Sequence, residues 1–204
     1  MADLDRLRRL AATYLSARPD CAPFLQALDG GRSAAGAATA VRRDCAAAAP
    51  LDAALDRSSW ATRPLVEALL ATTDLDWWTA YAPEAPAGRG MAVRSAISLL
   101  TGPGAPFSPR HGKAGFLLLG EGVEYAPHRH RPDEVYALLA GRGRFWLEGA
   151  GWREAAAGDV VQMPSGRWHA AETRESPVLA LWAWIGEPLD RRPEFRDGSA
   201  ALPA

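Results

Sequence analysis

The sequence predicts a mainly β protein: one small barrel preceded by an α-helical N-terminal region. Three observations predict it. From about residue 89 onward, short apolar runs alternate with Gly-, Pro- and Asp-rich clusters, the rhythm of a sandwich or barrel. Before that point the apolar residues recur at three- and four-residue steps instead, the signature of helices with one buried face. Third, three of the four histidines fall in an ordered pattern of glycines and a proline, which places them at strand ends and turns rather than on a helix.

In chain order, Leu4, Leu7, Leu10, Ala11, Tyr14 and Leu15 mark the first amphipathic helix. Pro19 and Pro23 punctuate the chain before a short helix around Phe24 to Leu28, which Gly30 and Gly31 stop. Residues 34–49 are rich in alanine, the best helix former, and Pro50 ends that stretch. Thr62 is placed to cap a helix whose first turn holds Pro64 and whose apolar side is Leu65, Val66, Leu69 and Leu70. Trp77, Trp78 and Tyr81 read as packing residues. The stretch from Ala82 to Gly90 reads as a linker, so residues 1–88 form a helical region, 89–188 the barrel and 189–204 a C-terminal tail. Strands are expected at Val93–Leu100, Gly115–Leu119, Val135–Leu139, Arg144–Leu147, Val160–Met163 and Val178–Ile185.

With 204 residues there is room for one domain of ordinary size and a decoration. A net charge of −1 argues against nucleic acid or an anionic membrane surface as partner. The N-terminus MADLDRLRRL lacks the apolar core of a secretory signal, and no apolar run approaches the roughly 20 residues that span a bilayer. A cytoplasmic location is therefore expected. Cys21 and Cys45 read as small buried thiols rather than a disulfide.

The histidine pattern runs Gly122-x5-His128-x-His130-x3-Glu134-x6-Gly141, then Gly158-x5-Pro164-x-Gly166-x2-His169. Imidazole and carboxylate are ordinary ligands for Zn, Fe, Mn or Ni, so His128, His130, Glu134 and His169 read as one site for a divalent transition metal. His128 and His130 alternate by two and share a strand face. Glu134 folds back past the Arg131-Pro132-Asp133 turn, and His169 arrives from another strand after Pro164-Ser165-Gly166. Without a metal, three inward imidazoles and a carboxylate would be a costly polar cluster. His111 reads as a loop residue, and Arg110, Lys113, Arg129 and Arg131 as a solvated basic rim.

These two blocks resemble those of the cupin superfamily almost position for position, over roughly Met91 to Gly186. The resemblance implies a double-stranded β-helix, or jelly-roll, barrel. One position departs from the pattern: Thr173 stands where the second block usually ends in Asn. Cupins often pair through strand edges, which suggests a homodimer. Fold alone leaves the chemistry open.

Tyr136 lies two residues past Glu134 and so shares its face, and Tyr125 is placed to reach the same mouth. A phenol beside a divalent cation loses its proton more easily and becomes a competent base. Trp146, Trp182 and Trp184 lie on β runs, and an aromatic wall suits a cationic ligand. The stretch YAPHRHRPDEVYALLAG (residues 125–141), the ending LALWAWIGE (179–187) and the helical N-terminal part together resemble the cupin-type dimethylsulfoniopropionate (DMSP) lyases of marine bacteria. That resemblance implies His128, His130, Glu134 and His169 as metal ligands, Tyr136 as base and Tyr125 as a second tyrosine handling substrate. It implies a zwitterionic or carboxylate substrate that loses a proton next to its carboxylate and breaks into dimethyl sulfide and acrylate. The rival readings are a non-haem iron cupin dioxygenase with the same ligands, a sugar isomerase or epimerase, and a cupin that binds a small ligand without turning it over. The aromatic pocket disfavours the isomerase, and the absence of a recognisable helix-turn-helix disfavours a regulator.

Overall fold

The computed structural model describes residues 2–33, 51, 53–54, 56–79 and 81–196. The helix expected over residues 34–49, and Cys45 with it, lie outside the described residues. The amphipathic N-terminus forms α1 (Ala2–Ser16), which buries Leu4, Leu7, Ala11, Tyr14 and Leu15. The next segment is a 3₁₀ helix over Pro19–Ala27 rather than an α-helix, with Pro23 inside it. Proline has no N–H to give to an α-helical ladder, so tighter local bonds take over. Cys21 is a buried free thiol. Gly30 and Gly31 do more than stop a helix: β1 (Gly30–Arg32) pairs antiparallel with β3 (Phe107–Pro109).

Thr62 occupies the N-cap position of α2 (Arg63–Ala71), with Pro64 in its first turn, yet its hydroxyl makes no capping bond to the helix. It accepts from Ser59 N at 2.9 Å and lies 3.1 Å from Ser59 O, closing the preceding turn instead. Met91–Arg94 forms the short helix α3, so the strand expected from Val93 begins only at Ser95. Among the described residues, no helix is long and apolar enough to cross a membrane.

The β part is built on one long strand. β6 (Asp133–Leu147) joins the two runs that the sequence suggested as separate strands. Its first half pairs with β10 (Val178–Ile185) and β8 (Val160–Met163). Its second half pairs with β7 (Gly151–Ala156) and β9 (His169–Glu172). Two sheets therefore share β6. One continues through β10 to β4 (Lys113–Leu119), β2 (Ser95–Thr101), β3 and β1. The other continues through β9 to β5 (Glu124–Arg129) and β11 (Glu194–Phe195). The fold class is as expected, mainly β.

The strand bends where it changes sheet. Gly141 has φ +76°, and a Cβ there would lie 1.7 Å from Pro177 O. The register against β10 shifts at Leu179/Ala180. An extra residue at such a bulge flips every later side chain to the other face. Glu134, Tyr136 and Leu138 face inward before the bend, whereas after it Phe145 and Leu147 do. Val178, Ala180, Trp182 and Trp184 of β10 line the interior, while Leu179, Leu181 and Ala183 pack against the helical layer with Val135, Ala137, Phe116 and Leu118. With both faces covered, these strands are continuous apolar runs rather than alternating ones.

The C-terminal segment does not trail off as a tail over its described part. Arg129 on β5 binds the Glu194 carboxylate of β11 with two bonds of 3.0 Å. Truncating the fully buried Phe116 to alanine should cost about 3–5 kcal/mol of stability, since the cavity lies between two rigid layers. A urea midpoint lowered accordingly at unchanged m-value is the expected result.

Candidate metal centre

The four residues of the histidine pattern converge. His128 on β5 and His169 on β9 are direct cross-strand partners. Glu134 opens β6, and His130 sits just past the end of β5. One ligand atom from each of His128, His130, Glu134 and His169 lies within 4.8 Å of all the others. The second block is stapled to the first by Gly166 N donating to His130 O at 2.8 Å and Ser165 N donating to Asp133 Oδ1 at 2.8 Å. Thr173, the departure from the cupin pattern, also has a structural role. Its hydroxyl accepts from Val123 N at 2.9 Å and donates to Gly120 O, closing the turn that leads into β5.

Each imidazole is oriented the same way. Nδ1 of His128, His130 and His169 lies 2.8 Å from Ala126 O, 2.9 Å from Pro132 O and 2.9 Å from Arg167 O respectively. A carbonyl only accepts, so each Nδ1 carries a hydrogen and each Nε2 lies on the opposite side of its ring, away from that carbonyl. His169 Nε2 is buried with no hydrogen-bond partner, and His130 Nε2 lies 2.9 Å from Glu134 Oε2. An outer bond that fixes the tautomer and frees Nε2 is the arrangement found around metal-ligating histidines. The cluster could therefore hold a metal ion, and three imidazoles with one carboxylate suit a first-row divalent ion.

The surrounding field is strongly perturbed. Burial, then the charge of His169, pushes His128 well below the usual histidine range, so its ring is neutral and able to ligate. Burial alone would raise the Glu134 carboxyl, but His130, by charge and hydrogen bond, and then His169 hold it below the usual carboxylate range. The phenols move the other way. Burial, then the Glu134 charge, raises Tyr136 well above its ordinary value. Burial, then Tyr81, does the same to Tyr125. Tyr81 is pushed up to about 12 by burial. The protein frame by itself thus keeps every phenol of the site protonated.

The cluster opens into a cavity of about 360 Å³ lined by Tyr81, Tyr125, Glu134, Tyr136, Trp182 and Trp184, with Trp78, Met91, Ile97, Lys113 and residues 189–193 completing it. Tyr125 stacks on His128 at 4.0 Å and shares a 2.6 Å hydrogen bond with the Tyr81 hydroxyl. In the pairing of β6 with β10, Tyr136 sits opposite Trp182 and Glu134 opposite Trp184. Trp146 is not brought to this cavity. It lies after the bend in β6, paired with Trp152 and Ala170, on the face opposite Phe145 and Leu147.

Sequence reasoning missed Tyr81, Trp78 and Lys113. Tyr81 and Trp78 were expected as packing residues, but both line the cavity, and Trp78 is partly exposed. The signal available was a Trp-Trp-x-x-Tyr cluster just before a turn-rich segment, which is uninformative without the fold. Lys113 was expected on a solvated rim but is half-buried. Its Nζ donates to Leu189 O at 2.7 Å and stands over the Trp184 ring at 4.0 Å.

Comparison with known proteins agrees with this architecture. The dimethylsulfoniopropionate lyase family model matches residues 33–180. This chain belongs to that family. The dimethylsulfoniopropionate lyase DddQ of Ruegeria pomeroyi is 32% identical over 140 residues, covering 69% of this chain and 70% of that protein. The crystal structure of the DMSP lyase DddQ from Ruegeria pomeroyi DSS-3 superposes with a TM-score of 0.83 at 25% identity, over 98% of this chain and 99% of that one. A structure from the crystallography of the DMSP lyases RdDddP and RnDddQII matches with a TM-score of 0.79 at 27% identity, over 96% and 98% of the two chains.

All four tyrosines, Tyr14 included, have raised pKa values, with burial the leading cause. A phenol whose folded pKa exceeds its unfolded one binds its proton more tightly when folded. That stability is complete below the unfolded value of roughly 10 and is lost as pH rises toward the folded one. In chelator-treated protein, phenolate absorbance should therefore appear only above about pH 10, together with loss of stability. A phenolate band at neutral pH in that sample would contradict the electrostatic picture.

Proposed function

We propose that this protein is a metal-dependent carbon–sulfur lyase that cleaves dimethylsulfoniopropionate into dimethyl sulfide and acrylate by β-elimination. The observation that carries the reading is a buried three-histidine, one-glutamate cluster, each imidazole oriented by a backbone-bonded Nδ1, with the Tyr136 phenol beside it in a small aromatic cavity. Membership of the DMSP lyase family supports it.

His128, His130, Glu134 and His169 would hold one divalent transition metal, Zn, Fe, Mn or Ni. Bound there, the ion supplies Lewis-acid activation of a substrate carboxylate and positive charge that lowers the pKa of adjoining phenols. Tyr136 is the base, because it lies two residues past Glu134 on the same strand and lines the cavity beside it. It takes a proton from the carbon next to the carboxylate. The electron pair left behind forms the carbon–carbon double bond, the carbon–sulfur bond breaks, and sulfur leaves as neutral dimethyl sulfide. Tyr125, held by Tyr81 and stacked on His128, shapes the substrate's position beside that base. The apolar walls exclude water while the charge redistributes.

Purified protein given DMSP without oxygen should release dimethyl sulfide and acrylate in equal amounts, and a chelator should stop it. An absolute requirement for oxygen would point to a dioxygenase instead. Tyr136→Phe should retain the metal by elemental analysis but lose roughly 10²–10⁴-fold in kcat, the usual contribution of a positioned base. His130→Ala should lose both metal and turnover; wild-type activity in that variant would remove the foundation of the reading.

A further inference from the structure

The chain carries 22 arginines and a single lysine, Lys113. That lysine is also a half-buried cation set into the wall of the cavity, which Arg191 and Arg192 line as well. It begins β4 and pairs with Trp184 across the sheet. Its Nζ lies 4.0 Å from the Trp184 ring centroid and 5.9 Å from that of Trp182. One of its three N–H donors goes to Leu189 O at 2.7 Å, which leaves two. In the same wall the indole N–H groups of Trp182 and Trp184 are buried without a partner. Of the acidic groups acting on Lys113, Glu134 is already engaged by His130, and Asp190 is exposed at the mouth. This wall is rich in donors and short of acceptors, which is the chemistry of an anion site.

The same contacts bear on the expectation that Trp182 and Trp184 hold a sulfonium. His130 lies 4.1 Å from the Trp184 centroid and Lys113 Nζ 4.0 Å. The Trp184 ring is thus already in contact with an imidazole and with a cation. A second cation brought to this wall would meet like charge.

We propose that Lys113 binds the carboxylate end of the substrate and so orients the zwitterion, with the sulfonium directed away from Trp184. A carboxylate has two oxygens, so contact with Lys113 leaves the second oxygen for the histidine–glutamate end of the cavity. A compact ammonium suits this position, whereas a planar guanidinium would occupy more of a small cavity. The proposal rests on the lyase reading for the identity of the ligand, but its preference for an anion does not.

The test is calorimetric binding of propionate and of its neutral isostere propionamide to the full-length protein, together with DMSP kinetics. Wild type should bind propionate in preference to propionamide. Lys113→Met should weaken propionate binding at least about tenfold, the loss of one charge-assisted hydrogen bond, and leave propionamide unchanged. Lys113→Arg should recover part of the loss. Lys113→Gln, which can still donate to Leu189 O without a charge, should behave like Lys113→Met. Tetramethylammonium should bind the Met variant more tightly than wild type, because the face of Trp184 is freed. For DMSP, KM should rise at least about tenfold with a smaller change in kcat. Unchanged propionate binding in Lys113→Met would overturn the proposal. Equal loss of propionate and propionamide would also overturn it, by showing that Lys113 merely latches Leu189. If wild type releases dimethyl sulfide and the Met variant does so at unchanged KM, the assignment of Lys113 falls and the lyase reading stands. If wild type releases none but Lys113 still sets the propionate preference, the lyase reading falls and the anion site stands.

Discussion

Three hydrogen bonds of one kind organise this site: an imidazole Nδ1–H given to a carbonyl two residues away. For His128 the acceptor is Ala126 O, for His169 it is Arg167 O, and for His130 it is Pro132 O on the following turn. Because the acceptor belongs to the same short stretch of backbone, each ring is aimed by the local path of the chain. Bringing the three Nε2 atoms together then requires only that the strand ends meet. The antiparallel pairing of β5 with β9 and the Gly166–His130 hydrogen bond arrange that meeting. The site is pre-organised by backbone geometry, so little ordering remains for a ligand to bring about.

The electrostatic consequence follows from burial. The cluster includes an ionised carboxylate and is walled by protonated phenols and indoles. Burial disfavours charge on every phenol, and the negative Glu134 adds to that for Tyr136. A phenol with this surrounding keeps its proton at neutral pH unless positive charge arrives at the cluster. Glu134 thus both adds to the burial that keeps Tyr136 protonated in the protein alone and offers a carboxylate that would attract a cation able to reverse it. Two opposed effects on one phenol would thus meet at one side chain.

The sequence spoke most clearly where a periodic or punctuated pattern maps onto a single physical requirement. The strands Val160–Met163 and Val178–Ile185 appear over the ranges expected, because each is a compact apolar run between turn residues. The four clustered residues were legible because metal-type side chains recur at spacings that strands and turns can bring together. Other features were silent for equally physical reasons. β5 and β9 are short and carry the histidines themselves, so they lack an apolar run. β11 has two residues and no period at all. Trp146 was expected at the cavity only as an aromatic on a β run, and which face of that run points inward is set by the bend at Gly141, which turns Phe145 and Leu147 in instead. Lys113 looks like any surface cation in a list of charges, and only the packing of Trp184 and Leu189 around it reveals its position.

The helical layer belongs to the same argument. On β10, Trp182 and Trp184 face the cavity while Leu181 and Ala183 face the helical side. On β6, Tyr136 faces in while Val135 and Ala137 face out. A sheet whose outer residues were left in water would be free to shift by small amounts, and every shift would be passed to the inward side chain next in sequence. Burying those outer residues beneath Leu7, Leu15, Phe24 and Leu69 clamps the strands from behind. The inner face can then hold phenol, indole and carboxylate in fixed relation without spending its own contacts on rigidity. Among the described residues, the 3₁₀ helix packs on β10 and α2 on β6, behind the two strands that carry Tyr136 and the aromatic wall, and this packing holds them in place from the side away from the cavity.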